Sequence, residues 1–199
     1  MFWDRVSGIY DIYQMMNRKA NDKAAFICAS YISKKDTVLE CACGTGIMTE
    51  FIAPACKRIV ATDVSKPMLK RARKKLKEQD NILFRQADIT DIKYKDDTFD
   101  VAVAANVIHL LDHPEKAISE LKRVVKKDGL IIIPTYISQQ ADSSAKLTKI
   151  FNKMGANFKK EFDQKTYREF FDKMGLNPKF KTAKGLISCC VAVIRNDKD

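Results

Sequence analysis

The sequence lacks the residue patterns that build metal sites and membrane spans. Its 199 residues include two histidines and one tryptophan, and its six cysteines form no C-x-x-C pair, which argues against a structural zinc site or a redox dithiol. The longest apolar run, residues 187–194, is too short to cross a bilayer. No repeat, Pro/Gly-rich linker or apolar signal core is present, so we expect one cytoplasmic domain over residues 1–199, with reduced cysteines.

Positive charge is in excess and is locally concentrated. The chain holds 36 Lys and Arg against 25 Asp and Glu, a net charge of +11. Residues 66–77 (KPMLKRARKKLK) contain seven basic residues, while Met68, Leu69, Ala72 and Leu76 recur at helical spacing. This pattern predicts an amphipathic helix whose basic face is either simply solvated or an anion or nucleic-acid patch. No aromatic residue lies among these charges, which disfavours stacking on single-stranded nucleic acid.

Apolar runs typical of strands alternate with amphipathic helical patterns along most of the chain. One of these helices is predicted to end at Asp128-Gly129. A buried parallel sheet with helices on both faces, an α/β fold, follows from this alternation. Residues 180–196 predict a terminal β-hairpin around Lys184-Gly185. The strand-like runs are residues 37–42, 58–62, 82–85, 101–105 and 130–134.

Two further segments lie outside this alternation. Residues 1–20 carry the spacing of an amphipathic helix, which either packs on the sheet edge or forms a lid over an active site. Residues 141–162 are Lys-rich and helix-prone, and we interpret them as a substrate-side insertion. They lead into a helix for which Gly175 is the predicted C-terminal cap.

A small-residue loop directly follows the first predicted strand. The stretch V-L-E-C-A-C-G-T-G ends in Gly44 and Gly46, which permit a sharp turn close to a ligand, and a helix with free N–H groups follows. Thr49 stands where the dinucleotide fingerprint G-x-G-x-x-G has its third glycine. The position predicts a ligand-binding loop, and the missing glycine argues against a pyrophosphate cradle.

Three acidic residues lie at or near strand ends around this loop. Asp63 closes the second strand, at the spacing of an acid that accepts hydrogen bonds from ribose hydroxyls, although Asp63 is also a candidate helix N-cap. Asp88 closes the third strand. Glu40 lies within the first strand, where a carboxylate is costly to bury unless a cation or donors satisfy it. Together they favour a cofactor with an adenosine part and a positively charged part.

These segments, in this order, resemble the class I S-adenosylmethionine-dependent methyltransferases of the small-molecule type that includes the ubiquinone/menaquinone biosynthesis methyltransferases. The resemblance covers about residues 3–129, with Glu40 in place of the commoner Asp and Ala42 in place of the first loop Gly. It implies a Rossmann-like seven-stranded sheet of order 3-2-1-4-5-7-6 with the last strand antiparallel, and S-adenosylmethionine as cofactor. The cofactor-binding residues that it implies are Glu40, Ala42, Cys43, Gly44, Thr45, Gly46, Asp63, Val64, Met68, Asp88, Ile89 and Asn106.

Histidines and tyrosines supply the candidates for catalysis and substrate binding. His109 follows the fourth strand and is either a general base or a packing residue over the cofactor, whereas His113, before a proline, is predicted to cap a helix. Tyr10, Tyr13 and Tyr136 are candidate substrate contacts, with simple packing as the alternative.

Three functions from different classes remain open at this stage. The leading hypothesis is in-line methyl transfer to a small-molecule acceptor. The alternatives are an RNA or protein methyltransferase, which only the basic charge favours, and a cofactor-binding protein without catalysis. The segment A-N-V-I-H after the fourth strand lacks the D/N/S-P-P-Y/F motif of nucleic-acid amino methyltransferases. A thiolate chemistry such as arsenite methylation is disfavoured, because the adjacent Cys189 and Cys190 would point to opposite faces of a strand.

Overall fold

A computed structural model describes residues 17–138 and 161–198. Tyr10, Tyr13, and most of the predicted lid and insertion segments lie outside these residues. The helices are α1 (Arg18–Ala29), α2 (Ile47–Ile52), α3 (Lys66–Lys75), α4 (Pro114–Val124) and α5 (Gln164–Asp172). The strands are β1 (Thr37–Cys41), β2 (Arg58–Asp63), β3 (Ile82–Gln86), β4 (Phe99–Ala104), β5 (Val125–Ile137), β6 (Lys179–Ala183) and β7 (Ser188–Arg195).

The seven strands form one sheet of order β3-β2-β1-β4-β5-β7-β6, which confirms the predicted topology. Strands β1 to β5 pair in parallel, whereas β7 runs antiparallel to both β5 and β6. Parallel strands buried on both faces explain the near-continuous apolar runs in the sequence. The carboxyl ends of β1 to β4 therefore lie along one edge, where open α/β sheets bind ligands.

Helices cover both faces of the sheet. Because successive side chains of β1 point to opposite faces, Val38 packs with α1 and α2, and Leu39 packs with α4 and α5. In the predicted basic helix α3, Leu69 and Ala72 pack against Phe84 of β3. Its charged residues face outward, as the sequence pattern predicts.

The helix predicted to end at Asp128-Gly129 is shorter than expected. Helix α4 ends at Val124, and β5 begins at Val125. The pairing of β5 with β4 is irregular here, because a register shift separates the Phe99–Val125 pair from the Val101–Leu130 pair. Asp128, with φ of 64°, lies within this irregular part of the strand.

Helix α1, which the sequence analysis did not predict, is attached to the terminal hairpin. The side chain of the buried Asn17 donates to the carbonyl oxygen of Ile187 at 3.0 Å and accepts from its backbone N–H at 3.1 Å. One turn further on, Ala20 packs so closely on the hairpin turn that a Cβ at Gly185 would lie 2.5 Å from the Ala20 Cβ. The hairpin thus fixes the position of α1 beside the sheet.

Substituting Gly185→Ala tests this close contact. The added methyl group overpacks the α1 interface, and we expect the free energy of unfolding to fall by roughly 1–3 kcal/mol. The measurement is urea denaturation, with Lys184→Ala as the control at an exposed neighbouring position, where the change should stay within about 0.5 kcal/mol. Equal stability of the two variants would contradict the tight packing of α1 on the hairpin.

Candidate functional site

Two adjacent cavities open at the carboxyl ends of the parallel strands. The main cavity has a volume of about 330 Å³, and the small cavity beside it about 30 Å³. Ala42 and Asn106 line both of them. Of the predicted cofactor-binding residues, the main cavity is also lined by Gly44, Asp63, Val64, Met68, Asp88 and Ile89, and the small cavity by Glu40, Cys43 and Thr45.

The loop between β1 and α2 has a left-handed backbone at three positions. Ala42, Gly44 and Gly46 have φ values of 55°, 54° and 85°, a conformation that suits glycine and costs energy at Ala42. Gly46 lines neither cavity. A Cβ at Gly46 would lie 2.9 Å from Leu76 Cδ1, at the end of α3. Gly46 therefore allows α3 to approach the loop, while Gly44 lies at the cavity.

Asp63 connects the loop to the second strand. Its carboxylate accepts from the backbone N–H of Gly44 at 2.9 Å and from that of Ser65 at 2.8 Å. Ser65, and not Asp63, caps α3, since the Ser65 hydroxyl accepts from the N–H of Met68. Asp63 also lines the main cavity, so its carboxylate lies where it can meet a ligand bound there.

Glu40 is a buried carboxylate at the small cavity. Its side chain is 1% exposed, and Oε2 has no hydrogen-bond partner among the described residues. Burial raises the pKa of Glu40 to about 8, and the Asp63 carboxylate acts in the same direction. A buried acceptor without a donor is costly. The small cavity is therefore suited to a cationic group such as an ammonium.

The opposite end of the main cavity has apolar walls and an exposed acid. Val64, Met68 and Ile89 supply the apolar surface. Asp88 accepts from both the backbone N–H and the hydroxyl of Thr90 at 2.8 Å through a single oxygen, Oδ1. This arrangement matches a flat, apolar ring with polar groups on its edge.

Arg123 of α4 supports the loop that carries Asp88 and Ile89. Its guanidinium donates to the carbonyl oxygens of Ile92 at 2.7 Å and Tyr94 at 2.8 Å. Glu120 accepts from the Ile92 N–H at 2.8 Å and pairs with Arg123. The loop therefore has defined hydrogen-bond partners although it lies at the surface.

Asn106 and Tyr136 join the end of β4 to α1. Asn106, with φ of 52°, accepts from the Tyr136 backbone N–H at 3.1 Å, and the Tyr136 hydroxyl donates to Asn21 Oδ1 at 2.6 Å. Asn21 lines the small cavity and was missed from the sequence. A polar residue on the buried, alanine-rich face of α1 was the available signal, since Ala24 and Ala25 are also buried.

The histidines lie apart from the cavities. His109 is in a short 3-10 helix (Ile108–Leu110) and lines neither cavity, and burial lowers its pKa to about 4. His113 occupies the N-cap position of α4, but its side chain makes no capping hydrogen bond and lies 3.2 Å from Glu115 instead. The sequence analysis also missed five apolar residues that line the main cavity: Ala87, Ala105, Val107, Leu110 and Leu111.

The cysteines are buried and unpaired with one another. All six are free, and burial raises the pKa of Cys41 to about 12 and that of Cys56 to about 11. They are therefore thiols and not reactive thiolates.

Within residues 17–138 and 161–198, no cluster of side chains could hold a metal ion, and no helix has the length and apolar character of a bilayer span.

Comparison with known proteins shows that part of the chain is similar to a methyltransferase domain. A family model of that description matches residues 39–133. The chain is 32% identical over 134 residues to the demethylmenaquinone methyltransferase of Clavibacter sepedonicus, a match that covers 66% of this chain and 55% of the relative. It is 37% identical over 101 residues to the ubiquinone/menaquinone biosynthesis C-methyltransferase UbiE of Bdellovibrio bacteriovorus, covering 49% of this chain and 43% of that relative. The chain thus spans about half the length of these curated relatives.

Solved structures share the fold over nearly the whole chain. One chain from the complex between the Haloferax volcanii Trm112 methyltransferase activator and a methyltransferase superposes with a TM-score of 0.80. The match covers 99% of this chain and 96% of that chain, at 15% identity. At this identity the likeness concerns the fold.

The buried Glu40 makes stability depend on pH. Its pKa is about 8 in the folded protein, whereas the ordinary value is 4.5. Between these two pH values, Glu40 keeps its proton in the folded state and loses it in the unfolded state. The contribution of Glu40 to the free energy of unfolding is therefore complete below pH 4.5. It is lost as the pH rises toward 8, by at most about 1.4 kcal/mol per pH unit. Between pH 5.5 and 8, urea denaturation should show this loss in the wild type and not in Glu40→Gln.

The exposed Glu78 provides the control, because Glu78→Gln should keep the wild-type dependence on pH. If Glu40→Gln also kept it, Glu40 would be ionised throughout this range, and the raised pKa that burial gives it would be disproved.

Proposed function

Since residues 39–133 match a methyltransferase domain and the chain is 32% identical over 134 residues to a demethylmenaquinone methyltransferase, we propose that it is a class I S-adenosylmethionine-dependent methyltransferase and transfers a methyl group from S-adenosylmethionine to a small-molecule acceptor. The observation that carries the proposal is the unpartnered buried oxygen of Glu40 beside a cavity whose other end is apolar. One ligand with an ammonium at one end and a purine at the other matches both ends.

The residues around the cavities have complementary roles toward this cofactor. Glu40 would accept from the amino group of the methionine part, and Asp63 from the ribose hydroxyls. Asp88 and Ile89 would contact the adenine edge and face. These assignments use the unpartnered Oε2 of Glu40, the positions of Asp63 and Asp88 in the lining of the main cavity, and the apolar walls of that cavity.

When bound, S-adenosylmethionine supplies an activated methyl group on a positively charged sulfur. The protein's share of catalysis is then mainly alignment of donor and acceptor, and exclusion of water. Val107, Leu110 and Leu111 supply apolar surface for that exclusion. Asn106 accepts a hydrogen bond from the Tyr136 backbone N–H, and this contact fixes the shape of the cavity wall at the end of β4.

His109 is assigned a packing role in this proposal. A base is needed only if the acceptor atom must lose a proton early. His109 is buried, lines neither cavity and has a pKa lowered to about 4. Similarly, the Tyr136 hydroxyl donates a hydrogen bond to Asn21 and its backbone N–H donates to Asn106, so we assign Tyr136 to holding these two residues in place and not to acceptor binding.

A small-molecule acceptor is favoured over RNA or protein. The relatives named above act, by their names, on demethylmenaquinone or in ubiquinone/menaquinone biosynthesis. Salt dependence separates these alternatives, since a nucleic-acid substrate would lose binding steeply between low and physiological salt. A protein that binds the cofactor without catalysis would turn over no acceptor in either class.

Calorimetric titration of Asp63→Asn tests the cofactor assignment. The wild type should bind S-adenosylmethionine and S-adenosylhomocysteine and should not bind NAD. The variant lacks the charged acceptor, so its affinity for both sulfur compounds should be roughly tenfold to a hundredfold lower. The reason is that hydrogen bonds to charged groups contribute about 1.5–3 kcal/mol. Asp91→Asn, an exposed acid in the neighbouring loop, is the control and should bind as the wild type does.

Thermal melting of each variant confirms that it is folded. If folded wild-type protein bound neither sulfur compound, the proposed cofactor would be wrong.

A further inference from the structure

The described residues around the small cavity supply no positive charge. The volume of this cavity is about 30 Å³, which is room for one small group such as an ammonium or a single water. Among residues 17–138 and 161–198, those that line it include Glu40 but no Lys, Arg or His. Within this part of the chain, a cation that pairs with Glu40 therefore has to come from a ligand.

The groups packed around Glu40 are negative or neutral. Asp63, at the end of β2, places a second carboxylate near it. Thr49 of α2 is fully buried beside it and favours the ionised form, but it carries no charge. Three buried thiols also face Glu40 from α1, from β1 and from the loop, and burial raises the pKa of each: Cys28, Cys41 and Cys43. None of these groups is a counter-ion for a buried carboxylate.

In the free protein, Glu40 is therefore buried more favourably as a neutral acid than as a carboxylate. Its side chain is 1% exposed, and Oε2 has no hydrogen-bond partner among the described residues. An ion in such a place lacks both water and a counter-ion, which disfavours the charged form. The pKa of about 8 that burial gives Glu40 agrees with this geometry. At neutral pH, most free molecules thus carry a proton on Glu40.

An ammonium group in the small cavity reverses this preference. An opposite charge within about 4–6 Å favours the ionised form of a carboxyl group. The ammonium also brings three donors, which Oε2 otherwise lacks. A neutral Glu40 would instead leave the bound ammonium buried without a counter-ion, which is costly.

We propose that binding of the cofactor's amino group displaces one proton from Glu40 to the solvent, so that cofactor binding is coupled to pH. The inference rests on the proposed function, because the cofactor supplies the ammonium. The O–H bond of the Glu40 carboxyl group breaks and the proton goes to the buffer. The ammonium keeps its three protons and pairs with the carboxylate that is left.

The coupling acts on the methyl donor and on its product in the same way. S-adenosylmethionine and S-adenosylhomocysteine carry the same amino group, so each releases a proton on binding and takes one up on leaving. Because Glu40 has a pKa of about 8 in the free protein, the affinity for both compounds should fall as the pH is lowered from 8.

Calorimetric titration with S-adenosylhomocysteine in two buffers of different ionisation enthalpy, PIPES and imidazole, counts the protons. At pH 6.5 the amino group of the ligand is already protonated, so the ligand itself takes up none. The wild type should release about one proton for each ligand bound. Between pH 6 and 7 its association constant should rise about tenfold, because binding is linked to a single proton.

A matched control ligand is 5′-methylthioadenosine, which keeps the adenosine and the sulfur but lacks the amino acid part. It should occupy the main cavity, where Asp63 lies, and should release no proton. Its affinity should change by less than about twofold between pH 6 and 7, since binding without proton release is not linked to pH. Equal proton release by both ligands would assign the proton to the main cavity and overturn the proposal.

The variant Glu40→Gln removes the titrating group and keeps the shape of the side chain. It should bind S-adenosylhomocysteine more weakly than the wild type does, with no proton release and no change in affinity between pH 6 and 7. Glu78→Gln, at an exposed acid, is the control and should keep both properties of the wild type. Thermal melts establish that both variants are folded.

A direct measurement on the wild type requires no variant to bind the ligand. In protein labelled with ¹³C at the glutamate carboxyl carbons, the Glu40 resonance is the one missing from the spectrum of Glu40→Gln. In the free protein it should titrate near pH 8. In the complex with S-adenosylhomocysteine it should already have the shift of a carboxylate at pH 6.5.

The outcomes separate this inference from the proposed function. If S-adenosylhomocysteine bound without releasing a proton, the coupling would be wrong and the cofactor assignment would stand. If Glu40 were ionised at pH 6.5 in the free protein, the coupling would again be wrong. If folded wild-type protein did not bind S-adenosylhomocysteine, both would fail together.

Discussion

The carboxylate of Asp63 is the contact on which the rest of the site depends. It accepts from the backbone of Gly44 in the loop after β1 and from that of Ser65 at the start of α3. One side chain therefore joins the end of β2 to two segments that both line or support the cavity. The close approach of α3 to Gly46 reinforces the same junction. The left-handed backbone of the loop is stable because these contacts hold it in place.

Local patterns were sufficient to predict the strands, the glycine loop and the acids at the strand ends, because each depends on residues close in sequence. The sheet order came from a family resemblance and not from periodicity. Helix α1 and Asn21 were not predicted, because their positions depend on contacts with the distant hairpin and with Tyr136. The burial of His109 is also a tertiary effect that its neighbours in sequence do not reveal.

Acidic and basic side chains lie on the two sides of the β1–α2 loop. Glu40 and Asp63 place carboxylates on the side of the small and main cavities, and the basic face of α3 lies beyond Thr45. Thr45 in the loop and Ile47 at the start of α2 line both the small cavity and the cavity beside the basic face of α3.

The attachment of α1 has a consequence for the order of folding. Asn17 is hydrogen-bonded to Ile187, which lies 170 residues further along the chain. The packing of α1 on the hairpin in turn sets the position of Asn21 at the small cavity. Closing so long a loop has an entropic cost that is recovered only when β6 and β7 are in place. During synthesis on the ribosome, the first five strands can pair while α1 still lacks its partner. The wall of the small cavity is therefore completed only after the hairpin has been made, so a truncated chain would contain the loop and Asp63 but not the finished cavity.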